Sequence, residues 1–514
     1  MFACIYIPNF PVAAVLRVEP ELRPRAIAIF EGSPPLEKIC AVNEKSGRFG
    51  IAPGMTKAQA ELCPEIVLRS GSALQESSAH AALLDSAQSF SPCVEDTACD
   101  TALLDLAGME SLLGSASEIS RAIAHRISAF GLDANVAIAA NPDAALIAAR
   151  GFPGVTVILP HETADRLGPL PIAVLFADRL EGEERRAADQ TLATLDRWGI
   201  RRLSALAALP QIALSERLGQ EGLHLQRLAL GSASRTLVPV EEPLIFEEAI
   251  ELEDPVMLLE PLAFLLNRLL EQLCARLAAR ARSTQELRLT LGLELPQQSK
   301  FIRTLRLPLP MLDARTFLKL LQLDLNAHPP GAPIVKIHLA AEPARMRSAQ
   351  GGLFLPPSPE PEKLELTLAR IAGMVGEHKV GAIELLDTHH PEGFRMDRFA
   401  PGLPLKKPAT EMSPPRENAV TALRRFRPPL HAEVTLENGQ PVHLACRKEM
   451  RGDVLWRAGP WRFSGDWWEH DAWSRDEWDV ALQNHALHNG ESLALYRLVR
   501  DLLNGAWFVE GTYD

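Results

Sequence analysis

Residues 94–108, VEDTACDTALLDLAG, read as two short strand-like pieces with a single acidic residue, Asp100, set between them among small and apolar neighbours. Phosphate chemistry needs more than one such residue. A pair of Mg²⁺ ions in a transfer site is held by several converging carboxylates, because hard cations take oxygen ligands and repel each other. Asp100 alone cannot hold such a pair. The reading of the chain therefore turns on what stands at the positions that would have to join it.

A chain of 514 residues is too long for one core and implies several domains. With 47% hydrophobic and 23% charged residues it has the composition of a water-soluble globular protein. The formal net charge of −12 gives no global basic signal for nucleic acid and leaves room only for a local one. The seven cysteines, Cys4, Cys40, Cys63, Cys93, Cys99, Cys274 and Cys446, form no CxxC pair and no regular spacing. An odd, scattered set fits buried thiols in a reducing compartment. The N-terminus, MFACIYIPNF, lacks a basic leader and meets proline at position 8. No apolar run reaches the roughly 18 residues of a membrane span. The expectation is a cytoplasmic protein with no membrane partner.

Residues 2–7 form an apolar, β-branched and aromatic run that reads as a buried strand. Pro8-Asn9 breaks it, and Pro11 opens a helix. A second strand follows at 25–29, helices at 56–63, 77–89 and 115–129, a strand at 135–139, a small-residue helix at 141–150 and a strand at 154–159. Strands alternating with helices predict a mixed α/β layer. Four segments, ACIYIPNF, VNEKSGRFGIAPGM, VEDTACDTALLD and NVAIAANPDAALIAAR followed by GFPGVTVI, stand in an order and spacing that resemble the palm and fingers of the Y-family (translesion) DNA polymerases. The resemblance covers roughly the first 160 residues.

The departures from that pattern carry the functional reading. Tyr6 stands where the family's leading metal-binding aspartate falls, and Pro8 where its second aspartate falls. Pro11 replaces the aromatic that screens the sugar 2′-position. Asp100 is retained, but Thr101 takes the place of the catalytic glutamate that follows it. Glu44 and Gly47 occupy the positions of a tyrosine and an arginine that hold the triphosphate, and Arg150 lies near the place of a palm lysine. With Tyr6 and Thr101 in place of carboxylates, the two-metal clamp is missing, so no metal and no cofactor are expected. Glu44 adds like-charge repulsion where a phosphate would sit.

Residues 166–231 read as short-looped helices that resemble the family's thumb, without the glycine of its usual first hairpin. A plain helical bundle and a DNA-gripping one both fit. Residues 237–347 read β-α-β-β-α-β, with strands at 246–252, 286–295, 301–308 and 333–339 and helices at 256–280 and 312–323. This order resembles the little finger, the extra DNA-binding domain of the Y-family. From Pro261 to Arg347 there are 13 Lys+Arg against 6 Asp+Glu, a local excess of +7. Arg276, Arg280, Arg282, Arg288, Arg303 and Arg306 form the cluster expected to meet phosphates of primer-template DNA without reading sequence.

Next comes SAQGGLFLPPSPEP at 348–361. Its Gln350, Leu353 and Phe354 resemble the short sliding-clamp-binding motif of bacterial polymerases. Two adjacent apolar anchors would fill a pocket while the glutamine amide fixes register. A tether packed on its own domain is the alternative. Further on, His389 and His390 are adjacent, and neighbouring side chains on an extended strand point to opposite faces, so they are expected to be structural. Seven of the eight tryptophans lie after residue 455, in short alternating strands. Such aromatic density fits either a tight core or a partner surface.

The expected architecture is a multidomain α+β chain. It comprises palm and fingers at 1–165, thumb at 166–231, little finger at 232–347, a linker with the clamp-like peptide at 348–363, and a β-rich partner-binding region at 364–514. The order of parts resembles catalytically inactive Y-family relatives of the damage-induced bacterial mutasome. That resemblance implies a non-catalytic adaptor in mutagenic translesion synthesis. Its implied partners are the sliding clamp, an error-prone C-family DNA polymerase, a small RecA-related, ImuA-like protein, and primer-template DNA. The alternative is an active but divergent Y-family polymerase.

Overall fold

The computed structural model describes residues 1–177, 182–233, 235–240, 243–294, 300–345, 361–376, 379–387, 393–397, 422–447, 450–466, 468, 472–484 and 492–513. Gln350, Leu353, Phe354, His389 and His390 lie outside the described residues. Two compact units are present, Met1–Glu377 and His378–Asp514. The chain is multidomain α/β, with its C-terminal part β-rich.

In the first unit, Phe2–Tyr6 is the central strand of a five-stranded sheet. The order is Val94–Ala98, Thr101–Asp105, Phe2–Tyr6, Asn135–Ala139, Val155–Val157. Its near-continuous apolar run suits a strand covered on both faces. Successive side chains alternate between those faces. Ala3 and Ile5 join a core against the helices Ala73–Gln88 and Ala116–Ala129. Cys4 and Tyr6 pack with the opposite core, which contains the helix Pro142–Gly151 and the helices after residue 160. That helix starts where Asn141 Oδ1 accepts the Ala144 N–H at 2.8 Å with proline just inside. It ends at Gly151, where a Cβ would lie 2.5 Å from Leu170.

A small sheet, Lys38–Val42, Ala26–Glu31, Ile66–Ser70, forms the fingers-like part. Helices Gly182–Arg197, Leu203–Ala207 and Gln211–Ala229 follow. Leu195, Leu203, Leu214 and Leu225 share their core with Ala144 and Ala148. Two glycine turns stand here: Gly199 at φ +76° after the first of these helices, and Gly219 at φ +64° as a kink within the last.

The β-α-β-β-α-β stretch is a four-stranded antiparallel sheet in the order Lys300–Met311, Arg282–Leu293, Ile334–Arg345, Phe246–Val256. Helices Leu259–Ala279 and Ala314–Ala327 cover one face. The alternating leucines Leu287, Leu289, Leu291 and Leu293 all face them. The helix Pro361–Val375 packs on this module through Ala369. A sequence boundary at 364 cuts this helix, whereas the first unit runs to Glu377; the helix has an apolar stripe and needs a surface to bury it on.

A buried charge network joins the little-finger-like module to the first sheet's helices. Glu248 accepts from Arg17 at 2.6 and 2.7 Å and from Arg276 at 3.2 Å. Arg276 also donates to Asp85 at 2.7 Å and to two backbone carbonyls, of Glu247 and Ile245. All four side chains are buried, Glu248 completely.

In the second unit six strands close into an antiparallel barrel: Leu423–Glu437, Gln440–Arg447, Met450–Gly465, Trp473–Asn484, Ser492–Asp501, Trp507–Tyr513. These strands, 7 to 16 residues long, exceed the short ones expected from sequence. Closure removes most of the edge problem of an isolated sheet. The tryptophans divide between core and surface. Trp478 and Trp507 are core, with ring centroids 4.8 Å apart, whereas Trp456, Trp461 and Trp468 are exposed.

Candidate functional site

The site begins with strand register. Tyr6 lies directly opposite Thr101 on one side and Asn135 on the other. Side chains opposite each other share a face, so Tyr6 and Thr101 both look toward the helix Pro142–Gly151. Ile7 N–H donates to the Asp100 carbonyl at 2.9 Å, which pins the Cys99-Asp100 turn beside the end of the first strand. This register brings the Tyr6 and Thr101 side chains and the Asp100 turn together.

What it brings together is a phenol, a hydroxyl and one carboxylate. Thr101 Oγ1 donates to Asp100 Oδ1 at 2.6 Å. Burial, and then the charge of Asp100, hold the Tyr6 phenol above its ordinary range, so it stays neutral at physiological pH. The Arg150 guanidinium lies 6.0 Å from the Tyr6 ring centroid. Burial pushes the Cys4 thiol beneath to about 12, which makes it an inert packing group. A neutral phenol donates and accepts one hydrogen bond but does not replace a carboxylate as a ligand for Mg²⁺.

The other acids of this sheet are engaged elsewhere. Glu95 takes two bonds from Arg235, both 2.8 Å, and one from the Val238 N–H. Burial raises the Glu95 pKa, but the Arg235 and Val238 bonds outweigh it and the net shift is downward. Arg235 also donates to Asp143 at 2.8 Å, and Asp96 pairs with His80 at 3.1 Å. Arg235 belongs to the connection between the helical part and the little-finger-like module. The connection is strapped to the outer strand, where Val240 N–H bonds to the Val94 carbonyl. Among the described residues, no group of three or more His, Cys, Asp or Glu is placed to hold a metal ion.

Pro8 and Asn9 form the turn into the helix Phe10–Val18, with Pro11 in its first turn. Glu44 is exposed and pairs with Arg48 one turn later at 2.6 Å. Gly47 offers no side chain, and a Cβ there would touch nothing within 4 Å.

The arginine cluster divides. Arg276 does not reach the surface: it is consumed by Asp85 and Glu248, because an arginine buried this deeply needs carboxylate partners. Arg303 faces the helices and pairs with Asp324. Arg280 is half-buried in a cavity of about 250 Å³ between helix Ala73–Gln88 and strand Phe246–Val256. Arg282 is half-buried at the strand's start, opposite Arg345. Arg288 and Arg306 lie on the face away from the helices, both exposed and both beside Glu286, at 3.5 and 3.0 Å. The register puts Lys300 and Lys336 on that same face, flanking Gly292. Sequence reading missed these two lysines, although strand alternation alone separates Arg288 from the leucines around it.

The impB/mucB/samB family model matches residues 5–150. Protein ImuB of Caulobacter vibrioides (strain NA1000 / CB15N) is 27% identical over 476 residues, 90% of this chain and 97% of that one. DNA polymerase IV of Dehalococcoides mccartyi (strain CBDB1) is 34% identical over 242 residues, 46% of this chain and 58% of that one. Among solved structures, DinB from Sulfolobus solfataricus is similar over 68% of this chain and 100% of its own, at 16% identity and a TM-score of 0.40.

Proposed function

Since the chain is ImuB-like along 90% of its length and carries an impB/mucB/samB family domain, we propose that it is a non-catalytic adaptor of damage-induced translesion synthesis. It tethers an error-prone C-family polymerase, which does the chemistry, to the sliding clamp and to primer-template DNA. The observation that carries the reading is the pairing of Tyr6 with Thr101 across the central strands while Asp100 accepts from Thr101. The ligand positions of a two-metal site hold a phenol and a hydroxyl.

The remaining parts divide the labour. The exposed sheet face with Lys300, Arg288, Arg306 and Lys336 meets the phosphate backbone, which positions without reading sequence. Glu286 and the other acids on that face keep the contact weak. Gln350, Leu353 and Phe354 hold the clamp. The second unit recruits the polymerase and the RecA-related, ImuA-like protein. Weak contacts joined in one chain gain through effective concentration.

A chain truncated after Glu377, the end of the first unit, tests the division. Its affinity for primer-template DNA is expected to stay within about twofold, while polymerase capture in a pull-down disappears. Undiminished capture would place the recruiting surface in the first unit. An active but divergent polymerase remains the second reading, and Asp100 is the residue that favours it.

A further inference from the structure

Helix Ala73–Gln88 turns one face toward the little-finger-like module, and a cavity of about 250 Å³ lies along it. Leu74, Ser78, Ala81, Leu84, Asp85 and Gln88 recur at helical spacing along that wall. Opposite stand residues 243–245, the strand Phe246–Val256 and the end of the helix Leu259–Ala279, which brings in Arg276 and Arg280. The adaptor reading makes no use of this space.

The titratable groups of its lining pair off, with one exception. Asp85 accepts from Arg276 at 2.7 Å, Glu247 lies 3.2 Å from His338 Nε2, and His80 Nε2 lies 3.1 Å from Asp96. The Arg280 side chain makes no hydrogen bond and no ion pair among the described residues, and its Nη1 is buried without a partner. Its charge reaches Asp85 through space, but that carboxylate is bonded to Arg276. A cation is favoured at a helix C-terminus, and Arg280 is the C-cap of its helix. The helix dipole accounts for the charge and leaves the guanidinium N–H donors without acceptors. Ser78, 7% exposed, adds another donor. Its Oγ accepts the Ala249 N–H at 3.2 Å, and its own hydrogen has no acceptor among the described residues. The lining therefore offers a positive charge and unclaimed donors, while its carboxylates are already bonded.

We propose that this cavity binds a small oxyanion with an apolar body, its phosphate or carboxylate group held by Arg280 and Ser78. An anion supplies the acceptors that the half-buried guanidinium lacks. Leu74, Leu84 and Leu244 in the lining give water no hydrogen bonds and suit a short hydrocarbon instead. An apolar cavity of about 150 Å³ already holds benzene, so this one has room for an oxyanion carrying several carbons. The bound anion touches both the sheet helix and the little-finger-like module, beside Arg276, which Glu248 holds at 3.2 Å. It therefore favours the joined arrangement of the two. The inference does not depend on the adaptor reading, since it uses neither the palm-like acid nor the clamp-like peptide.

The test is calorimetric titration of the full-length chain, at fixed ionic strength, with n-butyl phosphate, n-butyrate, inorganic phosphate and n-butanol. Binding of a butyl anion at one site is expected, and the headgroup that binds tighter identifies the oxyanion. Inorganic phosphate is expected to bind at least tenfold more weakly than butyl phosphate, since each buried CH₂ contributes a factor of about four. Arg280→Gln is expected to weaken the tighter butyl anion at least tenfold, and Arg280→Lys, which keeps the charge, to weaken it less. Without ligand, the unfolding midpoint of Arg280→Gln is expected not to fall, because no bond is lost. A fall would mark Arg280 as a structural residue and overturn the proposal. Ala81→Leu, which narrows the apolar wall and keeps Arg280, is expected to erase the advantage of butyl over inorganic phosphate. The proposal is equally overturned if neither butyl anion binds, if butanol binds as tightly as the anions, or if Arg280→Gln leaves binding unchanged.

Discussion

Glu248→Gln is expected to destabilise the first unit by about 3–5 kcal/mol, a large effect for a substitution that removes one charge and almost no volume. The carboxylate is completely buried and holds two guanidiniums, Arg17 at 2.6 and 2.7 Å and Arg276 at 3.2 Å. Neutralising it leaves two buried cations with only Asp85 between them. An uncompensated buried charge costs several times what an exposed pair contributes. The consequence reaches beyond one helix. Arg17 also donates to the Phe130 carbonyl, and Gln272 donates to the Arg17 carbonyl, so the change loosens the contact between the sheet helices and the little-finger-like module. The urea midpoint of the first unit is expected to fall sharply in Glu248→Gln. It should stay unchanged in Glu44→Gln, whose partner Arg48 is exposed. Equal behaviour of the two variants would contradict a buried network.

Leu353→Ala with Phe354→Ala is expected to remove clamp binding. Burying each apolar side chain contributes about 1.5–3 kcal/mol, so losing both costs roughly 3–6 kcal/mol, a hundredfold or more in affinity. On the adaptor reading the Gln350 amide would contribute register and would not compensate for two empty pockets. The effect on tethering is larger still, because once one contact is lost the others act without the gain of effective concentration. A clamp pull-down with the full-length chain reads this directly. Retention of the clamp by the double variant would remove the peptide from the account and leave a DNA-bound scaffold.

Much of the fold was legible in the sequence, for physical reasons that can be named. The strand through Cys4, the helix from Asn141 and the leucine alternation of residues 286–295 are local patterns, and local patterns survive translation into elements. The absence of carboxylates at Tyr6 and Thr101 is a matter of residue identity alone. The fates of the arginines were not legible. Arg276 lies in the last turn of its helix and Arg280 caps it four residues on, yet the first is sealed against Asp85, 191 residues away, and the second lines a cavity. Nothing near Arg276 in sequence announces Asp85 or Glu248. The same holds for Arg235, whose grip on Glu95 spans 140 residues. Composition placed a +7 excess in residues 261–347, but the fold commits Arg276 to Asp85 and Glu248, which lie outside that stretch, and pairs Arg303 and Arg306 with Asp324 and Glu286 within it. Only part of the cluster therefore faces outward for a phosphate backbone. In the tail, the tryptophans were visible, but only closure of the barrel sorts Trp478 and Trp507 from Trp456 and Trp461.

On the adaptor reading the palm-like sheet keeps the frame of a metal site without its ligands. Primer extension by the purified full-length chain, with Mg²⁺ and separately with Mn²⁺ on a primed template, tests it most directly. No added nucleotide is expected with either ion, and no difference between the unaltered chain and Asp100→Ala. Extension by the unaltered chain that disappears in Asp100→Ala would contradict it.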